Sequence, residues 1–260
     1  MIPIALTIAG SDPGGGAGIQ ADLKTFHQLR VFGTTAITLI TVQNTTRVSR
    51  VATLDPELVS AQIAAVLEDL PPLAAKTGAL GTAAIVEVVA GSHLRCPLVV
   101  DPVMISKHGA PLMDVAARKA LRALLVPKAT LVTPNLHEAS ELAGMPVDDL
   151  GQMRAAAVQI ARFGPSSVLI KGGHLQDDAV DLLYHDGGFT EFRAVRIDTR
   201  HTHGTGCTYS AAITAWLARG MPIVDAVTRA KRFIDEAIRT NPGLGAGSGP
   251  VNHWADHQLP

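Results

Sequence analysis

The segment 203–208, His-Gly-Thr-Gly-Cys-Thr, places a cysteine directly after a Gly-Thr-Gly turn, at the predicted start of a helix rich in alanine and serine. Gly204 and Gly206 leave backbone N–H groups open, and N–H groups at a helix start attract negative charge. The pKa of a thiol in the first helical turn can fall well below about 8.5. The segment therefore predicts an anion-binding turn in which Cys207 accepts a proton from a substrate hydroxyl, with a small buried apolar side chain as the alternative.

A second glycine-rich segment, GSDPGGGAG at residues 10–18, follows the first apolar run of the chain. Glycine lets backbone N–H groups approach a ligand, although a flexible turn between strand and helix has the same composition. GAGIQA, at residues 16–21, matches the dinucleotide-binding pattern only formally. Its first glycine lies several residues after the strand, and residues 31–54 contain no acid to bind a ribose. The chain also has no GxxxxGK[ST] sequence, which excludes a P-loop.

Two polar side chains occur where the surrounding pattern is apolar. Asp22 falls on the inward face of the predicted helix 19–30, within about 60° of Ile19, so it needs a partner or a ligand. A favourable charge in the first helical turn is the alternative interpretation. Gln43 ends the second predicted strand, and its amide offers both a donor and an acceptor to the edge of a heterocycle. A strand-end amide without a ligand is the alternative there.

Several charged or capping residues directly follow predicted strands. Asn135-x-x-Glu138 reads as a helix cap with a capping-box acid, and Glu138 is also a candidate ligand for hydrated Mg²⁺. Asp101 is a second carboxylate at a strand end and suits a metal or phosphate network. Lys171 precedes Gly172-Gly173 and could place a point charge on phosphate oxygens. Lys107 lies in a loop and is either part of the site or solvated.

These residues must be positioned by short β-branched runs that alternate with amphipathic stretches. Strands are predicted at 4–9, 34–42, 73–76, 98–101, 130–133 and 168–171, followed by a hairpin of 179–184 and 189–195. Helices are predicted at 19–30, 57–70, 82–92, 114–125, 136–143, 149–163, 206–219 and 222–239. This alternation predicts an α/β fold with a mostly parallel sheet and helices on both faces. In such sheets ligands bind outside the carboxyl ends of the strands, where the candidate residues lie.

Composition narrows the classes of protein further. With 47% hydrophobic and 17% charged residues and a net charge of −1, the chain is typical of a folded soluble protein without a nucleic-acid-binding face. No apolar run approaches the length of a membrane span, and the amino-terminal residues predict a strand rather than a signal peptide. Two cysteines exclude a disulfide scaffold and fit a reducing, cytoplasmic setting. Without a linker, residues 1–260 form one predicted domain.

The ordered motifs GSDPGGGAGIQADLKTF, VQNT, DPVM, TPNxxEA, IKGGH and THGTGCT resemble those of the hydroxymethylpyrimidine/phosphomethylpyrimidine kinases of thiamine biosynthesis, in the ribokinase-like superfamily. Each motif is weak alone, whereas the ordered set covers almost the whole chain. The resemblance implies a ribokinase-like three-layer α/β/α sandwich, ATP and Mg²⁺ as cofactors, and a homodimer. It also implies two successive phosphorylations, first of a hydroxymethyl group and then of the resulting monophosphate.

Carried over by motif, the resemblance assigns a role to each candidate residue. The pyrimidine site falls on Gly10, Ala17, Asp22, Gln43 and Val103. The anion hole falls on Gly204, Thr205, Gly206 and Cys207, with Cys207 where related kinases place an aspartate base. The ATP side falls on Asn135, Glu138, Lys171 and Asp101, and the metal on Glu138 and Asp101. One departure is Ala79, where relatives commonly carry a methionine over the pyrimidine, which makes the pocket roomier.

Three alternatives remain open at this point. A pyridoxal kinase of the same superfamily would share the motifs, and the small Ala79 side chain suits a larger ring. A nicotinamide-dependent oxidoreductase would need the acid that residues 31–54 lack. A pyrimidine-binding protein without catalysis would not need Cys207, Glu138 and Lys171 together.

Overall fold

The computed structural model describes residues 2–107, 109–173 and 179–256, which form one nine-stranded sheet with helices on both faces. The strands are β1 (Ile4–Ser11), β2 (Phe32–Gln43), β3 (Val48–Thr53), β4 (Ala74–Thr77), β5 (Leu98–Val100), β6 (Leu131–Val132), β7 (Ser167–Ile170), β8 (Ala179–His185) and β9 (Gly188–Ala194). The helices are α1 (Gly18–Gln28), α2 (Pro56–Asp69), α3 (Ala83–Gly91), α4 (Val115–Ala120), α5 (Leu136–Ala143), α6 (Leu150–Ala161), α7 (Thr205–Ala218) and α8 (Ile223–Arg239).

The strand order is β3-β2-β1-β4-β5-β6-β7-β8-β9, and every pair from β2 to β7 is parallel. Their carboxyl ends therefore share one edge of the sheet, called the carboxyl edge below. Strands β3, β8 and β9 pair antiparallel at the two sides. The predicted α/β class and mostly parallel sheet are confirmed, as is the hairpin of β8 and β9, whose turn holds Asp186 and Gly187 at positive φ.

Two apolar cores explain the three layers. Because neighbouring residues of a strand point to opposite faces, Leu6 packs in one core and Ala5 in the other. The first core lies against α2 to α6, and the second holds Phe26 of α1 together with most of α7 and α8. The central strands are buried on both faces, which is why their sequences read as continuous apolar runs.

The structure differs from the predicted elements at two places. Strand β3, at Val48–Thr53, was not predicted, because an edge strand with several exposed side chains has no apolar run to mark it. The predicted helix 114–125 is regular only to Ala120 and continues as a π-helical turn and a 3₁₀ turn that contains Pro127. Across the described residues, each helix is too short or too polar to cross a bilayer.

Candidate active site

The two glycine-containing loops meet at the carboxyl edge. Gly204 has a φ of +77°, and a Cβ at this position would collide with the carbonyl oxygen of Gly16, so only glycine allows the loops to touch here. A cavity of about 900 Å³ opens beside the contact. Twelve of the thirteen residues predicted for the site line it. They are Gly10, Ala17, Gln43, Asp101, Val103, Asn135, Glu138, Lys171, Gly204, Thr205, Gly206 and Cys207.

Asp22 is the exception, because it is fully buried and is absent from the described residues that line the cavity. Its carboxylate accepts a hydrogen bond from Thr7 at 2.6 Å and forms an ion pair with Lys76 at 2.8 Å. The inward direction predicted from the helix pattern is therefore found, and the partner that a buried carboxylate needs is a lysine on β4. The contact of Asp22 with the pyrimidine stays a prediction, while its two carboxylate oxygens are bonded to Thr7 and Lys76.

Cys207 lies in the first turn of α7, as predicted, but its pKa moves in the opposite direction. Burial raises the pKa of the thiol to about 12, and nearby Asp22 and Asp101 add to this effect. The positive charge of Lys76 and a hydrogen bond from the backbone of Gly18 lower the pKa by less. The expectation of a thiol with a lowered pKa was wrong, because desolvation outweighs the helix end.

Charged side chains gather where β5, β6 and β7 end. Lys171 Nζ lies 2.9 Å from Asp101 Oδ1, which also accepts a hydrogen bond from Thr133 at 3.2 Å. The second oxygen of Asp101 accepts a hydrogen bond from Ser210 at 3.2 Å, so α7 is tied to the same carboxylate. This lysine therefore stands at the amide-rich start of α7, where it can meet a phosphate.

Glu138 occupies the adjoining wall. The predicted capping box is present: Asn135 N donates to Glu138 Oε2 at 2.8 Å, and Glu138 N donates to Asn135 Oδ1 at 2.9 Å. Burial raises the pKa of Glu138 to about 7, Asp101 raises it further, and Lys171 opposes both. A carboxylate in such surroundings gains from a nearby cation.

The opposite end of the cavity is built from the first strands. Gln43 ends β2, while Val103 and Ala79 face the same space together with Leu39 and Thr41. The side chain of Ala79 adds little volume, as expected from the sequence. Lys107 also lines the cavity and is exposed, so both of its sequence interpretations hold in part. The last histidine of the IKGGH motif, His174, lies outside the described residues.

A third part of the cavity extends past Lys171 between the antiparallel strands and α8. Its apolar lining consists of Ala179, Val195, Ile234 and Ile238, and the ion-paired side chains of Asp181, Lys231 and Asp235 line the cavity beside them. No sequence motif pointed to this region. Its apolar walls and its position beyond the lysine suit a flat aromatic base whose phosphates reach towards the amide-rich turn.

Sequence reasoning also missed three polar residues near the two loops. Lys76 is fully buried, although a lysine rarely is, and its partner lies 54 positions away in sequence. Asp12 and His203 are joined at 2.9 Å across 191 positions. Both residues stood inside the two loop motifs in the sequence, but neither was given a role and nothing linked one to the other.

The comparisons with known proteins agree with this site. Residues 12–252 match the phosphomethylpyrimidine kinase family. A hydroxymethylpyrimidine/phosphomethylpyrimidine kinase of Synechococcus elongatus is 49% identical over 257 residues, which cover 97% of this chain and 98% of that protein.

Solved structures show the same likeness. The structure of Bacillus subtilis pyridoxal kinase in complex with ADP matches with a TM-score of 0.90, 41% identity and 98% coverage of both chains. A phosphomethylpyrimidine kinase from Clostridium difficile matches with a TM-score of 0.81 and 42% identity, covering 91% of this chain and 99% of that one. Both the ribokinase-like fold and the resemblance seen in the motifs are thereby confirmed. The chain belongs to the phosphomethylpyrimidine kinase family.

Proposed function

We propose that this kinase transfers the γ-phosphoryl group of ATP to the primary alcohol of 4-amino-5-hydroxymethyl-2-methylpyrimidine, and then a second one to the resulting monophosphate, in thiamine biosynthesis. The observation that carries the proposal is the continuous cavity at the carboxyl edge. It joins a pocket bounded by Gln43 and Val103, the amide-rich turn 204–207, and Lys171 with the apolar region beyond it.

The pyrimidine would occupy the end formed by β1 and β2. Gln43 offers a donor and an acceptor to the ring edge, and the backbone of Gly10 and Ala17 together with Val103 forms the walls. The ring would then direct its hydroxymethyl group towards the turn 204–207, because that turn contacts the glycine loop directly. This orientation brings the alcohol to the place where negative charge can be accommodated.

The turn 204–207, called the amide cup below, would hold the phosphoryl group during transfer. Its backbone N–H groups at the start of α7 and the ammonium group of Lys171 offset negative charge on the phosphoryl oxygens. The transition state of phosphoryl transfer is loose, so positioning and electrostatic stabilisation contribute more than base strength. Asn135 stands at the start of α5 on the same side and would help to hold the phosphate chain.

Cys207 would hold the alcohol at the place where the new P–O bond forms. With a pKa near 12 the thiol is protonated in the free protein at neutral pH, so it is not a ready-made base. Its first contribution is to position the hydroxyl group beside the amide cup. Only a thiolate can take the alcohol's proton. While the thiol stays protonated, that proton passes to an oxygen of the transferred phosphoryl group as the bond between that group and ADP breaks.

Mg²⁺ would fit beside Glu138 and Asp101 if waters and the phosphates of ATP supply its other ligands. Within the described ranges no three His, Cys, Asp or Glu residues form a cluster that could hold a metal, which argues against an all-protein cage. Mg²⁺ is usually bound by one or two carboxylates together with waters and substrate phosphates. Glu138, whose pKa is raised by burial, would hold it, with Asp101 beside it. When bound, the ion would offset charge on the phosphate oxygens.

A second candidate function is the phosphorylation of pyridoxal. It is favoured by the small side chain of Ala79 in the ring pocket and by the close match to pyridoxal kinase. Membership of a kinase family favours both candidates over a nicotinamide-dependent oxidoreductase. The proposal also includes a cytoplasmic location, because Cys96 and Cys207 are both free thiols, which fits a reducing compartment. It includes a homodimer as well, on the basis of the family resemblance.

Mass spectrometry of the products tests the proposal. The protein is incubated with ATP, Mg²⁺ and a panel of pyrimidine and pyridine alcohols, with Cys207→Ala as the control. Successive appearance of the pyrimidine monophosphate and diphosphate is the expected result. A higher kcat/KM for pyridoxal would favour the second candidate. Binding of the pyrimidine without any ADP release would overturn both and leave a non-catalytic binding protein.

A further inference from the structure

Asp12 joins the two halves of the site through one carboxylate. Its Oδ1 accepts a hydrogen bond from Gly14 N at 2.8 Å, and its Oδ2 accepts bonds from Ala17 N at 2.8 Å and Gly16 N at 3.1 Å. The same Oδ2 lies 2.9 Å from His203 Nε2. One side chain therefore fixes the path of the glycine loop, residues 10–18, and ties it to the residue that precedes the amide cup.

This connection is buried and lies at the point where the two loops touch. Asp12 is 1% exposed and His203 is 7% exposed, and both line the cavity. Burial acts to raise the pKa of Asp12, but the hydrogen bonds from His203 and the loop amides outweigh it and hold the pKa below its ordinary value. The carboxylate is therefore charged, and the geometry of its four bonds is well defined.

The loops on either side of the pair serve different reactants in the proposed reaction. The glycine loop, with Gly10 and Ala17, borders the alcohol, whereas the amide cup holds the phosphoryl group. ATP is held from another direction, by Lys171 and the apolar region near α8. A change in the Asp12–His203 contact would therefore alter the distance between the two reactants without removing a group that binds the nucleotide.

We propose that Asp12 and His203 are a pair of positioning residues that set the distance between the acceptor alcohol and the amide cup. The proposal rests on the kinase function above. Misplacing reacting groups by about 1 Å can lower a rate about 100-fold. Loss of the Asp12–His203 contact could therefore lower kcat strongly even with a small shift of the loops. Neither residue would touch the reacting atoms, and each would act through the backbone that it holds.

The test compares Asp12→Asn, His203→Leu and His203→Gln. Asp12→Asn keeps the shape of the side chain but replaces one acceptor oxygen with an NH₂ group. That group cannot accept the hydrogen bonds that the loop amides or His203 make to the carboxylate. Leu removes the bond at His203, whereas Gln can still donate one. His185→Gln is the matched control, because His185 makes a similar 2.8 Å bond to Ser167 at the far end of β7, outside the cavity.

The expected result is a split between kcat and ATP affinity. His203→Leu and Asp12→Asn should lower kcat at least about tenfold while KM for ATP changes less than about threefold, and His203→Gln should recover most of the loss. The double variant Asp12→Asn/His203→Leu should be no slower than the worse single variant, because the residues act as a unit. Unchanged kcat in the folded variants, parallel losses in ATP affinity, or additive effects would overturn the proposal.

A second measurement does not depend on the identity of the alcohol. Hydrogen exchange at the amides of Gly14, Gly16 and Ala17 should speed up in His203→Leu but not in His185→Gln, although residue 203 is distant in sequence. Unchanged exchange at the glycine loop would refute the coupling itself. Failure of the wild-type protein to phosphorylate any alcohol would instead refute the kinase function, so the two failures are distinguishable.

Discussion

The thiol of Cys207 should be far less reactive in the folded protein than in the unfolded chain. Burial raises its pKa from an ordinary 9.0 to about 12, and Lys76 and the Gly18 backbone recover only part of the shift. At a pH below the pKa, each unit by which the pKa rises lowers the thiolate fraction about tenfold. The thiolate fraction at pH 8 should therefore fall about 1,000-fold. Since the thiolate is the species that is alkylated, the rate should fall by a similar factor.

The assay is alkylation by iodoacetamide, followed at Cys207 and Cys96 separately by peptide mass spectrometry. The chain unfolded in guanidinium chloride provides the reference rate for both thiols. Burial raises the pKa of Cys96 to about 11, so its slowing should be nearer 100-fold. The rate at Cys207 should also keep rising about tenfold per pH unit up to pH 10, without levelling off.

A plateau in the rate at Cys207 near pH 9, or a rate at pH 8 close to that of the unfolded chain, would refute the reasoning. It would mean that the helix end and Lys76 outweigh burial and that a thiolate is available before the substrate binds. Cys207→Ala should lower kcat at least about 100-fold, because the variant loses the side chain that positions the alcohol beside the amide cup. An unchanged kcat would remove Cys207 from the reaction.

Three further predictions follow from buried groups and one close backbone contact. Because burial raises the pKa of Glu138 to about 7, kcat/KM for ATP should fall below that pH, and excess Mg²⁺ should move the fall to lower pH. The proton on Glu138 also links folding to pH. Its contribution to the free energy of unfolding is complete below about pH 4.5 and is lost as the pH rises through about 7, a change of about 3 kcal/mol that urea titrations would measure. Glu138→Gln should abolish both effects. Lys76→Met should lower the free energy of unfolding by about 3–5 kcal/mol, since it leaves Asp22 buried without a counter-charge. The double variant Lys76→Met/Asp22→Leu should lower it less. Equal decreases in the single and double variants would contradict the ion pair. Gly204→Ala should abolish phosphoryl transfer, whereas Gly220→Ala, at a similar φ of +82° but with open space around it, should leave kcat unchanged.

Much of the fold could be predicted because its signals are local. The runs that became β1, β5 and β7 are apolar and β-branched, and the capping box at Asn135 and Glu138 marks the start of α5 within four residues. Since parallel strands share a carboxyl edge, the residues that follow them could be grouped into one site without knowledge of the strand order. That grouping is why twelve of thirteen candidates line one cavity.

The remaining errors concern contacts between residues that are distant in sequence. The partner of Asp22 is Lys76, on a different strand, and no pattern around either residue indicates the other. Asp12 and His203 are separated by most of the chain. The predicted lowering of the Cys207 pKa was wrong for a related reason. A helix start is visible in sequence, but the burial of the thiol depends on how β1, β4 and α7 pack.

The balance of charge in the site favours the proposed divalent cation. Four acids, Asp12, Asp22, Asp101 and Glu138, and two lysines, Lys76 and Lys171, lie near the amide cup, so their formal charges sum to −2. Both lysines are already paired with aspartates, and a triphosphate brings several further negative charges. A divalent cation beside Glu138 would offset part of that total. The pKa of Glu138 is raised mainly by burial and further by Asp101, so this carboxylate would gain from a bound cation more than an exposed one would.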